Sequence, residues 1–485
     1  MKKTRGLALI LALCMLGTAA GCASGHSYDS LLDPKKPVMI TIWHYYNGSQ
    51  KTAFDGLVSE FNEGIGREKG ILVESYNYGS VTALEENVLN SVNHVVGSSE
   101  LPDIIASYAD TAYILYQQNL LADISKYMTE KDLEAYVDSY LNEGRIGSGN
   151  GLYIFPTAKS TEIFMMNKTD WDRFAGETGA SEDQLSTMEG LAETAKQYYE
   201  WTDAQTPDIE GDGKAFFGRD AMANLFIIAA RQFGIELFEV KDGVMHLNVD
   251  ETVMRKIWDS FYVPYVSGYF GAFGKFCSDD AKVGDLIALV GSSTSALYFP
   301  REVTIGAQTY PIEISVAQAP LFEGGQKCAV QQGAGMVVTA GEANKEYAAS
   351  VFLKWFTDEQ QNMEFAVSSG YLPVKSAAYD EGTLEEAIRQ MDEEMDAVMM
   401  ESLEVSFETV RTSSMYTNKA FEGGVSARKV LEYHMTDQAN EVLAKIRERT
   451  DKGEARETVL AEYTGDAAFT AWLESFTRAL QEALQ

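Results

Sequence analysis

Two periods of apolar residues alternate along the chain after Lys36. Val38–Trp43 ("VMITIW") is apolar at nearly every position, which predicts a strand covered on both faces. Phe54, Leu57, Val58 and Phe61 then recur at helical spacing, and Gly64 and Gly66 end that run. Ile71–Tyr78 predicts a second strand, Leu84, Val88, Leu89, Val92 and Val95 a second helix, and Asp103–Ser107 a third strand. Strand, helix, strand, helix, strand at this spacing implies a parallel sheet with right-handed crossovers. Ligands of such sheets sit beyond the carboxyl ends of the strands. The segments "WHYYNG", "YNYGS" and "SYAD" are therefore the first places to look for a site.

Further along, Gly151–Trp171 holds a strand-like run, a proline and a second β-rich run. Helical patterns follow at Leu185–Tyr199 and Ala221–Gln232. Ile312, Ile314 and Val316 alternate with polar residues, as in a strand with one wetter face. "AGMVVTA" predicts another strand and Tyr347–Phe356 a helix in which Trp355 has core spacing. Gly370–Asp380 breaks the pattern, and from Leu384 onward the chain is mostly acidic amphipathic helix. The class is α/β, and 485 residues suffice for two or more lobes.

The N-terminus reads differently. Lys2, Lys3 and Arg5 precede an apolar run from Leu7 to Leu16, the layout of a secretory signal. The run is too short to span a bilayer, which takes roughly 20 apolar residues. Ala19-Ala20-Gly21-Cys22 resembles a bacterial lipobox, with Ala19 where leucine is preferred, so Cys22 is expected to carry a lipid anchor ahead of a flexible tether. The net charge of −33 argues against binding nucleic acid or anionic lipid by charge. Past Cys22 only Cys277 and Cys328 remain, without metal-ligand spacing; they are either one disulfide or two buried thiols.

The succession "TIWHYYNG", "LPDIIASYAD" with "NLLADIS", "FPTAKSTEIFMMNK", "GSSTSALYFP" and "AASVFLKWFTDEQQNMEFAVSSGYLPVKSAAYD" resembles the family 1 extracellular solute-binding proteins, receptors of ABC importers for sugars and polyols. The resemblance implies a two-lobed periplasmic-binding-protein-like fold with a ligand cleft between the lobes. Hinge crossings would fall near Pro156, Pro320 and Gly370–Pro373. It implies a signal peptide at 1–21, a tether at 22–36, lobe I from 37–156 and 319–370, and lobe II from 157–318 and 371–485. It further implies a non-enzymatic monomer on the outer face of the cytoplasmic membrane, working with the transmembrane subunits of a permease and without a cofactor.

A sugar offers apolar C–H faces and a rim of hydroxyls, so its site needs aromatic rings and polar side chains together. Trp43, Tyr45, Tyr46, Tyr78, Tyr108, Tyr298, Phe299 and Tyr371 lie at strand ends or breaks; core packing is the alternative for each. Within the family, the branch that binds glycerol 3-phosphate supplies further matches. These are Ser160, the pair Ser292-Ser293, Gly333 in "QGAG", Tyr371 in "GYLP" and Arg411 in "VRTSSMYTN". A guanidinium suits a phosphate because it donates two parallel hydrogen bonds; a surface ion pair is the alternative for Arg411. Val81 and Ala109 replace two polar residues of that branch, with Asp110 next to the second. The departures favour a neutral carbohydrate or polyol over glycerol 3-phosphate or a glycerophosphodiester.

Other chemistries find little support. Asp208–Arg219 begins like a calcium loop but ends in Arg219 where a bidentate glutamate belongs. The five histidines are scattered, and there is no HExxH, GxSxG or P-loop. The carboxylate pair of a glycoside hydrolase needs only proximity in space, and no motif points to one.

Overall fold

The computed structural model describes residues 28–485 except 148, 210, 242 and 391–394. Two four-stranded sheets organise these residues. In chain order their strands are β1 (Val38–His44), β2 (Ile71–Asn77), β3 (Ile104–Ser107), β4 (Glu162–Asn167), β5 (Phe217–Arg219), β6 (Ala288–Ser292), β7 (Ile314–Gln318) and β8 (Gly335–Val338). The first sheet runs β8-β3-β1-β2 and the second β7-β4-β6-β5. β1 pairs parallel with β2 and β3, and β8 closes that sheet antiparallel. In the second sheet only the β5–β6 pair is parallel.

Five helices bear on the site: α1 (Val81–Val92), α2 (Ala109–Gln117), α3 (Met222–Gln232), α4 (Ala397–Thr412) and α5 (Gly424–Asp451). Each sheet has its own core, which makes the α/β fold two-lobed. In lobe I, Ile40, Ile42, Phe54, Phe61, Phe352 and Phe356 pack together. In lobe II the C-terminal helices supply much of the core. Leu431, Met435, Ala439, Val442 and Ile446 form the buried stripe of α5, whose acidic residues are left on the other face.

Three chain passages lie side by side between the lobes. Lys159 and Leu372 exchange backbone hydrogen bonds at 3.0 and 2.5 Å, and Ser160 and Gln332 do so at 3.0 and 2.9 Å. The Lys159 ammonium is buried in the same place, 2.6 Å from a carboxylate oxygen of Glu143 and 2.9 Å from the Gly333 carbonyl.

Several expectations need correction. β1 is covered on both faces only toward its end: Met39 and the neighbouring Leu72 are 49% and 43% exposed. Gly151–Phe155 forms no strand, only an isolated bridge from Phe155 to Met336. The second passage lies beyond Pro320, since Phe322 is packed in the lobe II core and β8 is the next lobe I element. The third passage, at Leu372, falls within Gly370–Pro373, but lobe I runs past residue 370, for Tyr371 and Val374 pack in its core. Trp355 is half-buried against Phe61, with ring centroids 5.2 Å apart. The tether is shorter than 22–36: Tyr28 packs 4.8 Å from the Tyr127 ring, and Asp29 pairs with Lys69 at 3.1 Å. Cys22 and the signal segment lie outside the described residues. Cys277 and Cys328 are two buried free thiols.

Candidate functional site

A cavity of about 610 Å³ opens where the two lobes meet the three passages. Tyr108, Asp110, Ser160, Ser292, Gly333 and Tyr371 all line it, although they come from widely separated stretches of sequence. Tyr108 ends the turn after β3 and Asp110 stands in the first turn of α2, the strand-end position where a parallel sheet binds ligands. Ser160 is fixed by its backbone pairing with Gln332. Gly333 has φ +92°, and a Cβ there would meet the Ala158 carbonyl oxygen at 2.8 Å, so the approach of two passages requires glycine. The Ser292 hydroxyl caps the turn after β6, accepting from the Thr294 amide at 3.4 Å.

Other candidates stand behind or away from this cavity. Tyr45 is 9% exposed and its ring lies 6.3 Å from that of Tyr108, nearly parallel, so it backs the cleft wall. Burial, with the phenols of Tyr371 and Tyr46 beside it, pushes its ionisation well above the usual tyrosine range. Trp43 and Tyr78 pack on each other at 4.9 Å and are absent from the lining. Ser293 is buried and donates to the Gly370 carbonyl at 3.4 Å, facing the passage instead of the cavity. Phe299 is 2% exposed in a core with Ile163, Met165, Leu289 and Val316. The turn before it rolls its ring inward, so it offers no face to a ligand.

Arg411 is also misplaced by the sequence reading. Its Nε donates to the Tyr379 carbonyl at 2.7 Å and its Nη2 to that of Asp380 at 3.2 Å. It clamps a turn outside the cleft. The cavity's arginine is Arg428, in the first turn and a half of α5, with Lys429 beside it. A signal for it was present in the sequence: "EGGVSARK" is a Gly-Gly break followed by a basic residue at a helix start.

Carboxylates outnumber cations in the lining. Glu85, Asp110, Glu143 and Glu432 face Arg428 and Lys429. Burial pushes the Asp110 carboxyl above its ordinary range, and the Arg428 charge opposes that rise. Burial does the same to Glu85, offset in part by a hydrogen bond from the Thr111 hydroxyl at 3.0 Å. A Cβ at Gly424 would lie 2.6 Å from Asp110 Oδ1, so glycine at the start of α5 lets a lobe I carboxylate reach lobe II. Among the described residues no group of three or more His, Cys, Asp or Glu could hold a metal ion. The loop resembling a calcium site folds back on the preceding helix, whose last residue, Asp203, accepts from the Gly211 and Asp212 amides at 2.8 and 2.9 Å. The buried His44 is held down to about 4, chiefly by desolvation, and its Nδ1 accepts from the Tyr46 amide at 3.2 Å.

Two α/β lobes, three joining passages and a cavity of aromatic faces ringed by acceptors and donors define a binding protein. The chain belongs to the bacterial extracellular solute-binding protein family, whose pattern matches residues 57–395. Membership implies an exported protein. No helix among the described residues is long and apolar enough to cross a membrane. No curated protein matches the chain. Solved structures that share the fold include the cyclic α-maltosyl-1,6-maltose binding protein from Arthrobacter globiformis, at 17% identity and TM-score 0.66, covering 92% of this chain and 99% of that one. UgpB from Mycobacterium tuberculosis in complex with glycerophosphocholine matches at 16% identity and TM-score 0.63, covering 92% and 98%. A maltose-bound MalE3 of T. maritima matches at 14% identity and TM-score 0.58, covering 92% and 100%. At these identities the likeness concerns the fold.

Proposed function

We propose that this protein is the substrate-binding lipoprotein of an ABC importer, taking a neutral carbohydrate or polyol into the inter-lobe cleft and presenting it to a membrane permease. Cys22 is its lipid anchor in this reading. The observation that carries the ligand class is the charge of the lining: Glu85, Asp110 and Glu432 stand against Arg428 and Lys429, while Glu143 is already paired with Lys159. A neutral hydroxylated ligand donates to Asp110 and Glu85, accepts from Arg428, and lays its C–H faces on Tyr108 and Tyr371. A phosphate in the same cavity faces those carboxylates as well as the arginine.

Arg428 supports a second reading, a glycerol-3-phosphate or glycerophosphodiester receptor, because its guanidinium reaches the cavity as a phosphate ligand would need. A thermal-shift screen with maltotriose, glycerol 3-phosphate and glycerophosphocholine separates the two. A bound probe at 100 times its Kd stabilises by about 2.7 kcal/mol. Stabilisation by sugars that is insensitive to salt supports the first reading, and salt-sensitive stabilisation by a phosphate ester alone supports the second. Metabolic labelling with a lipid precursor tests the anchor, and Cys22→Ala should release the protein from membranes still folded.

A further inference from the structure

Arg428 is held by a polar chain that starts with Asn224 at the edge of the cavity and runs into the buried core behind it. Its Nη2 donates to Asn224 Oδ1 at 2.8 Å. Asn224 is only 1% exposed, and its Nδ2 donates to Glu162 Oε1 at 2.9 Å. The other oxygen of Glu162 accepts from Arg219, and the side chains of that pair are both almost wholly buried.

The direction of the Asn224 amide follows from its partners. A guanidinium has no acceptor and an ionised carboxylate has no donor, so the amide oxygen must face Arg428 and the amide nitrogen must face Glu162. Flipping the amide breaks both bonds. The backbone around it is equally constrained. Ala221, just before α3, has φ +51° without being glycine, a strained conformation of the kind that persists only where the surroundings enforce it. The next two amides, of Met222 and Ala223, donate to Glu432 at 3.2 and 3.0 Å. Glu432 lies one turn beyond Arg428 on α5, so the first turn of α3 grips both residues.

We infer that Asn224 is a positioning residue for the cleft: it carries the fixed orientation of the buried Glu162–Arg219 pair to the guanidinium of Arg428. It thereby sets how tightly the site holds a ligand group that accepts from that arginine. The inference rests on the cleft being the binding site.

The test is made first without ligand. The carboxyl of Asp110 faces the charges of Arg428 and Glu85, and it reports where the guanidinium sits. Its ¹³C titration is followed in the full chain and in three variants. Arg428→Met should move it upward. Asn224→Ala should move it the same way by a smaller amount, because the guanidinium is released but not removed. Ile227→Val, a core change on the same helix, should lower the melting temperature and leave the titration alone. An unmoved titration in Asn224→Ala beside a moved one in Arg428→Met overturns the inference, and so does no response to Arg428→Met. Maltotriose and glycerophosphocholine then serve as binding probes, with Asn224→Ala expected to weaken either by about tenfold. If neither probe binds, the choice of ligands fails while the titration still decides the role of Asn224.

Discussion

Two consecutive long helices, α4 and α5, each carry an arginine near one end, and their surroundings use them differently. Arg411 spends its Nε and Nη2 on the carbonyls of Tyr379 and Asp380, closing a turn of backbone. Arg428 makes one hydrogen bond among the described residues, to a side-chain amide that is itself anchored, and the rest of its fork borders the cavity. Both are cations near helix ends, and both stand among acidic neighbours. What separates them is which acceptors already occupy the guanidinium. An arginine that clamps main-chain carbonyls away from the cavity is structural, whereas one held on a single side at its edge keeps donors for a ligand.

The largest effect expected from breaking this contrast lies beneath Arg428. Glu162→Ala leaves Arg219 buried without its partner and should cost about 3–5 kcal/mol in urea unfolding. Next comes Arg428→Ala, which should weaken the bound probe by about 1.5–3 kcal/mol in calorimetry while the melting temperature changes little. Arg411→Ala should do the reverse, lowering stability by about 1 kcal/mol and leaving affinity alone. The smallest effect concerns Asp110. Burial raises its carboxyl in the folded protein, so the folded state binds its proton more tightly than the unfolded chain. The stability it contributes is present at low pH and is lost as pH rises through the raised value. Asp110→Asn should therefore melt higher than the native chain at pH 7, and the gain should shrink as pH falls from the raised value to the ordinary carboxylate range. A gain that persists at low pH contradicts burial as the cause.

Much of lobe I was legible because its signals are local. Alternating strand and helix periods between Val38 and Ser107 mark the parallel sheet, and the turns after those strands hold Tyr108 and Asp110. The landmark segments were equally informative about Ser160, Ser292, Gly333 and Tyr371, which the fold brings to one cavity. Side-chain direction was not legible. Phe299 follows a break like the one that exposes Tyr298, yet one ring is 2% exposed and the other 66%. The choice between Arg411 and Arg428 depends on which face of α5 meets α3, and Glu432 and Asn224 fix that face only in three dimensions. The buried partners Lys159 and Glu143 carried no sequence signal either, because nothing in the spacing of residues 143 and 159 announces a pair inside a hinge.

The most direct test of the cleft account is calorimetric titration of the probe that stabilises the protein best, against the native chain, Arg428→Ala and Arg411→Ala at low and high salt. The account predicts at least tenfold weaker binding in Arg428→Ala, native affinity in Arg411→Ala, and a neutral sugar whose binding is almost unchanged by salt. Native affinity in Arg428→Ala together with lost binding in Arg411→Ala would contradict it.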